Sequence, residues 1–153
     1  MQILDFLSPE AIKMSLESKS KKDVIKELVD LLFATGKVKD KKKMVQTLME
    51  REELGSTGIG QGIAIPHGKS DTVTDLAAAF GLSTEGIGFE SLDGEPVNIF
   101  FLLVAPENSA GIHLKALARI SRLMKDQTFR KRLMEANSSE EIYALFSEGD
   151  EKY

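Results

Sequence analysis

The sequence predicts an α/β fold in which a fully buried strand lies between two sets of amphipathic helices. Val97 to Val104, V-N-I-F-F-L-L-V, is apolar on both faces and rich in β-favouring side chains, as a strand covered by helices on either side must be. Two capped helical patterns precede it, after Ser20 and after Asp40, and three follow it, over Ile112 to Met124, after Asp126 and after Ser138. The chain has 153 residues, 42% of them hydrophobic and 29% charged, which suits one domain over 1–153 with a core of its own.

Taken in order, Leu4, Phe6 and Leu7 form an apolar lead-in, and Ser8-Pro9-Glu10 has the hydroxyl-plus-proline form of a short helical turn. Ile12, Met14 and Leu16 alternate with polar residues, the pattern of a strand with one buried face. Ser20, with Asp23 three residues on, is placed to cap a helix that carries Val24, Leu28, Leu31 and Leu32 on one side and stops near Gly36. Asp40 opens a second helix, with Met44, Val45, Leu48 and Met49 as apolar positions, Lys41 to Lys43 as a solvated face and Arg51 in the last turn. Leu76 to Leu82 reads as a short buried strand closed by Gly81 and Ser83. Gly86-Ile87-Gly88-Phe89 and Leu92-Asp93-Gly94-Glu95-Pro96 read as turns. Beyond Pro106, the helix over Ile112 to Met124 should turn Leu114, Leu117, Ile120, Leu123 and Met124 inward, with His113 in its first turn. Asp126 caps a helix through Leu133 and Met134 that stops at Asn137. Ser138-Ser139-Glu140-Glu141 is a capping box for a last helix bearing Ile142, Leu145 and Phe146, after which residues 148–153 are expected to fray.

Composition removes several classes of function. Without cysteine there is no disulfide framework, no thiolate nucleophile and no cysteine zinc site. The N-terminus lacks a basic leader, and no apolar run approaches the roughly 20 residues of a membrane span, so a cytoplasmic protein with no direct membrane insertion is expected. A formal charge of -4 argues against nucleic acid and for a basic protein partner drawn in by long-range steering.

The chemistry concentrates in Arg51 to Lys69, R-E-E-L-G-S-T-G-I-G-Q-G-I-A-I-P-H-G-K, which contains one of only two histidines. Pro66 fixes its own φ and Gly68 tolerates backbone that other residues do not, so the His67 imidazole is presented and not packed. Gly62 to Ser70 is not a phosphate-binding loop. Five residues separate Gly62 from Gly68 where that motif allows four, and Pro66 and His67 stand where amides should cradle phosphates. Gly58-Ile59-Gly60-Gln61-Gly62 lacks the third glycine of a dinucleotide fingerprint at its spacing. Two histidines far apart, with no cysteine and no short ligand motif, support a metal site poorly. A nucleophilic imidazole remains, since neutral histidine takes a phosphoryl group directly as a reactive phosphoramidate. Arg51 can offer a planar fork to phosphoryl oxygens, the glycine-flanked loop exposes backbone donors, and His113 lies where a helix N-terminus favours an anion. The pattern alone leaves His113 open as a core histidine, and Arg51-Glu52-Glu53 open as a surface ion-pair cluster.

Together with D-G-E-P-V-N-I-F-F-L-L-V-A-P from Asp93 to Pro106 and H-L-K-A-L-A-R-I-S-R-L from His113 to Leu123, this segment closely resembles the IIA domains of the fructose-mannitol class of the bacterial phosphoenolpyruvate-dependent sugar phosphotransferase system, including the nitrogen-related IIA proteins. The resemblance covers essentially the whole chain. It implies a single three-layer α/β/α domain with a mixed sheet. It also implies that His67 is the phosphorylated residue, on Nε2, that Arg51 lies beside it, that His113 is the second active-site histidine, and that Thr57 and Gly68 help shape the pocket. The implied mechanism is a relay in which His67 accepts the phosphoryl group of the phosphocarrier HPr and passes it to a IIB component, with no nucleotide and no bound cofactor. Both partners must reach the same histidine, so a shallow, partly apolar surface is expected around it, with Ile59, Ile63 and residues near Ala110 and Ile112 as candidates. Two outputs stay open. The Val97 to Pro106 strand favours a carrier that feeds a fructose-class or mannitol-class transporter, and a free-standing domain favours a nitrogen-related regulatory protein whose phosphorylation state controls its partners.

Overall fold

A computed structural model describes residues 1–152, and Tyr153, part of the expected frayed tail, lies outside them. After a 3₁₀ turn at Ile3–Asp5, the elements are β1 (Leu7–Lys13), α1 (Lys21–Ala34), α2 (Lys41–Glu53), β2 (Gly58–Gly60), β3 (Ile63–Ala64), β4 (His67–Lys69), β5 (Ala77–Ile87), β6 (Val97–Ala105), α3 (Ala110–Met124), α4 (Gln127–Glu135) and α5 (Ser139–Lys152). The strands form one mixed sheet in the order β1-β5-β6-β3-β2, with β4 also paired to β6. β6 runs antiparallel to β5 and parallel to β3 and β4, so the strand that is apolar on both faces is indeed central.

Its two faces meet different helices. Phe80 of β5 stands opposite Phe101 of β6, and both rings pack edge-on against Phe146 of α5, which also meets Phe129 of α4. The preceding residue, Phe100, turns to the other face and meets Phe89, whose ring carries the Lys21 ammonium of α1 at 4.7 Å. On that face α2 lies against β4, with Leu48 and Met44 buried beneath it. The result is three layers, α1 and α2 on one side and α3 to α5 on the other.

The helix caps match the sequence. Ser20 Oγ accepts from Asp23 N, Asp40 Oδ1 from Lys43 N, Asp126 Oδ1 from Thr128 N and Phe129 N, and Ser138 Oγ from Glu141 N. Other expectations are corrected. Ser8-Pro9-Glu10 is not a helical turn but part of β1, because an edge strand tolerates a residue without an N–H, and Met14 and Leu16 fall beyond the strand. β5 does not close at Gly81 and Ser83. Leu16 covers Gly81, the Leu16 N–H donates to Leu82 O, and the strand continues through an irregularity to Ile87. In α3 the buried stripe is His113, Ala116, Ile120, Leu123 and Met124, while Leu114 points outward at 67% exposure. The expected fraying from residue 148 is absent up to Lys152. The Asp150 carboxylate is buried, receives the Ile3 and Leu4 N–H groups and the Arg119 guanidinium, and so ties the end of α5 to the first turn of the chain.

Candidate active site

The site is built at the junction of α2 with the segment that follows it. β2 and β3 form a tight hairpin whose two turn residues, Gln61 and Gly62, both have positive φ, at 59° and 78°. Such a turn matches the twist of the strands it joins and needs glycine or a tolerant polar residue. Asp93 Oδ2 accepts from Gln61 N at 2.9 Å and holds that turn down. β3 and β4 lie along the same edge of β6 in one continuous register, Ile63 opposite Ile99 and His67 opposite Leu103. They are separate strands because Pro66 between them brings no N–H to the ladder, although its carbonyl still accepts from Leu103 N.

Ile65, just before that break, turns its polar groups elsewhere. Its N–H donates to Thr57 O at 3.0 Å, and its carbonyl receives the His67 ring at Nδ1, 2.8 Å away. A carbonyl can only accept, so Nδ1 carries the proton and Nε2 of the neutral ring holds the free lone pair. The ring is half-buried, and burial, reinforced by the Arg51 charge, lowers the His67 pKa against the opposing pull of the Ile65 carbonyl and Glu52. The His113 ring lies edge-on to it with centroids 5.5 Å apart. His113 is only 7% exposed, and burial, with the nearby His67 and Lys69 charges, pushes its pKa down to about 4. Both shifts favour the neutral imidazole. The His113 Nε2 is buried with no hydrogen-bond partner among the described residues, which leaves a polar atom unsatisfied beside the candidate nucleophile.

Arg51, in the last turn of α2, donates from Nη1 to Gly55 O at 2.8 Å, which braces the guanidinium across the start of the hairpin segment. It lines an open depression of about 710 Å³ together with His67, His113, Lys69 and Gly68. Sequence reasoning thus placed Arg51, His67, His113 and Gly68 around one depression. A Cβ at Gly68 would meet Leu48 and Thr47 at 3.4 Å, an ordinary contact, so local space does not by itself require glycine there. Thr57 does not line it. That residue is buried behind the site, where its hydroxyl donates to the Glu52 carboxylate, its N–H to the same group at 3.2 Å, and its carbonyl receives Ile65.

Glu52 is the residue that the sequence concealed. Neither it nor the cluster around it is a surface ion pair, for Glu52 is 6% exposed and its Oε1 lies 3.1 Å from Lys21 Nζ. The only available signal was its place, four residues after Leu48 on the buried stripe of α2. The expected apolar surroundings also differ in detail. Ile59 and Ile112 are exposed, but Ile63 is in the core, and Leu54 at 85% and Leu114 at 67% exposure stand at the rim instead. Among the described residues no three histidine, aspartate or glutamate side chains converge to hold a metal ion, and no helix is long and apolar enough to cross a membrane.

Comparison with known proteins follows the same lines. Residues 5–149 match the family described as "Phosphoenolpyruvate-dependent sugar phosphotransferase system, EIIA 2". The chain is 41% identical over 150 residues to a PTS system fructose-specific EIIABC component of Bacillus subtilis, a match that spans 98% of this chain but 24% of that protein. It is 40% identical over 148 residues to a nitrogen regulatory protein of Bradyrhizobium diazoefficiens, covering 96% of this chain and 95% of the relative. The crystal structure of the nitrogen regulatory protein IIA-Ntr from Neisseria meningitidis superposes with a TM-score of 0.87 at 36% identity, over 93% of this chain and 97% of that one. By sequence, fold and the extent of the match, the chain belongs to the EIIA 2 family of the phosphoenolpyruvate-dependent sugar phosphotransferase system.

Proposed function

We propose that the protein is a phosphoryl carrier whose His67 Nε2 takes a phosphoryl group from an HPr-type phosphocarrier and passes it to a IIB component of the fructose-mannitol class. The observation that carries this reading is the hydrogen bond from His67 Nδ1 to Ile65 O, which leaves Nε2 as the lone-pair nitrogen in an open depression beside Arg51 and His113. In the first step the Nε2 lone pair attacks phosphorus, and the P–N bond to the carrier histidine breaks as the new one forms. The Arg51 guanidinium meets the equatorial oxygens, whose charge must be stabilised in the transition state. His113, edge-on to His67 with a buried and unpaired Nε2, would bring a second polar group to the same oxygens if its ring turns on binding and that nitrogen carries the proton. In the second step an acceptor nucleophile, a thiolate on IIB, attacks the same phosphorus and the P–N bond to His67 breaks. The relay runs in the cytoplasm, because phosphoenolpyruvate upstream is its phosphoryl source.

Similarity to nitrogen regulatory proteins favours a second output from the same chemistry, in which phosphorylated and free His67 states bind regulated partners differently. The test common to both is intact mass after incubation with phosphoenolpyruvate, enzyme I and HPr, for the wild type and His67→Ala. Acid-labile gain of one phosphoryl group, absent in the variant, is expected. Equal gain in both, or none in either with cognate partners, would overturn the assignment. Loss of the label to added IIB then separates the transport reading from the regulatory one.

A further inference from the structure

Glu52 occupies a place that is unfavourable for a carboxylate on two counts. It lies in the last turn of α2, where the helix dipole disfavours an anion, and it is 6% exposed. These costs are offset by the Lys21 ammonium at 3.1 Å and by the hydroxyl and N–H of Thr57. An apolar side chain of similar volume would fill the position at lower cost. What such a side chain could not do is grip Thr57 at two points. That grip holds Thr57, whose carbonyl receives Ile65 N at 3.0 Å, and Ile65 in turn presents the carbonyl that receives His67 Nδ1 at 2.8 Å. Lys21 is not left stranded by this arrangement. It also reaches Glu90 at 3.5 Å and sits over the Phe89 ring, so its place in the layer does not depend on Glu52 alone.

We propose that Glu52 is a positioning residue for phosphoryl transfer, which acts through Thr57 and the Ile65 backbone to hold the His67 ring in the orientation and tautomer that expose Nε2. The inference rests on the reading of His67 as phosphoryl acceptor. Glu52 itself touches neither ring nor phosphoryl group, and its influence runs through the grip on Thr57, one backbone hydrogen bond from Ile65 N to Thr57 O, and the side-chain hydrogen bond from His67 Nδ1 to Ile65 O. A ring released from this chain samples the other tautomer and other rotamers, and misplacement of that order costs a transfer reaction about 10- to 100-fold.

The test uses the whole chain with two readouts, the ¹⁵N resonances of the His67 ring and the rate of phosphoryl gain from phosphorylated HPr. Wild type should show one neutral tautomer, protonated at Nδ1. Glu52→Met, which fills the position but cannot grip Thr57, should mix the tautomers and slow phosphoryl gain about 10- to 100-fold, with circular dichroism unchanged. Thr57→Val should move both readouts in the same direction, and Thr57→Ser, which keeps the hydroxyl, should restore both. A Glu52→Met protein that is folded and leaves either readout at its wild-type value overturns the proposal. If that variant does not fold, Thr57→Val, which keeps the Lys21–Glu52 pair, decides by the same criterion. The ring resonances need no phosphoryl donor, so a wild-type protein that shows the locked tautomer and never gains phosphate would refute the proposed function and leave the hydrogen-bond chain intact.

Discussion

The two faces of the sheet bury different things. Against α3 to α5 the sheet packs aromatic rings, Phe80 and Phe101 on Phe146 and Phe129, and the buried Asp150–Arg119 pair on that side ties α5 to the first turn of the chain, away from these rings. Against α1 and α2 it buries a carboxylate, an ammonium and a threonine hydroxyl next to Phe89 and Phe100. Apolar burial is favourable and non-directional, whereas a buried polar chain has few satisfied arrangements and so fixes geometry. Both faces contribute apolar core, and on the proposal above the polar chain on the α1 and α2 side adds control over the orientation of the His67 ring.

Several substitutions would break or sharpen this division. Phe146→Ala should have the largest effect, about 3–5 kcal/mol of stability, seen as a Tm lower by roughly 10 °C, while phosphoryl gain by the folded fraction stays near wild type. A matching loss of transfer rate in the folded protein would mean that the faces are not separable. Arg51→Ala should do the reverse, with Tm within a degree or two of wild type and phosphoryl transfer slower by about 10². Equal losses in transfer and in affinity for HPr would contradict a transition-state role for the guanidinium.

Glu27 shows that a charge on the α1 side can serve the fold alone. Its carboxylate accepts from Glu17 N, Ser18 N and Ser18 Oγ and pairs with Lys13 at 2.6 Å, and these partners outweigh burial and hold its pKa down to about 2. The folded value lies below the unfolded one near 4.5, so the unfolded chain binds the extra proton between them. The contribution is complete above that unfolded value and disappears as pH falls towards 2. Glu27→Gln should therefore cost about 2 kcal/mol at pH 7, and urea midpoints of variant and wild type should converge across that acid window. The smallest effect on stability belongs to Leu114→Ala, within about 0.5 kcal/mol, since that side chain is 67% exposed. Its signature should be a KM for HPr raised a few-fold with kcat unchanged, and no change in KM would remove Leu114 from the docking rim.

What was legible in the sequence follows from the same contrast. Capping residues act within one turn, so Ser20, Asp40, Asp126 and Ser138 could be read directly, and a strand apolar on both faces announced its own central place. His67 was legible because Pro66 and Gly68 bracket it in sequence. Glu52 was not, because the partners that make its burial tolerable, Lys21 and Thr57, come from another helix and from beyond the helix end. The phase of α3 was not legible for a related reason: Leu114 outward and His113 inward reverse the usual preference, and the sequence pattern follows that preference.

The corrected reading of Ser8-Pro9-Glu10 has a further consequence. An exposed sheet edge is a template for another chain, and both edges here are blunted. β1 carries Pro9 and a register irregularity between Leu7 and Ile12, and β2 at the opposite edge is three residues long. Neither offers the run of free backbone groups from which fibrillar stacking grows. A protein that exposes Leu54, Ile59, Ile112 and Leu114 can thus be crowded with its own copies without their sheets fusing.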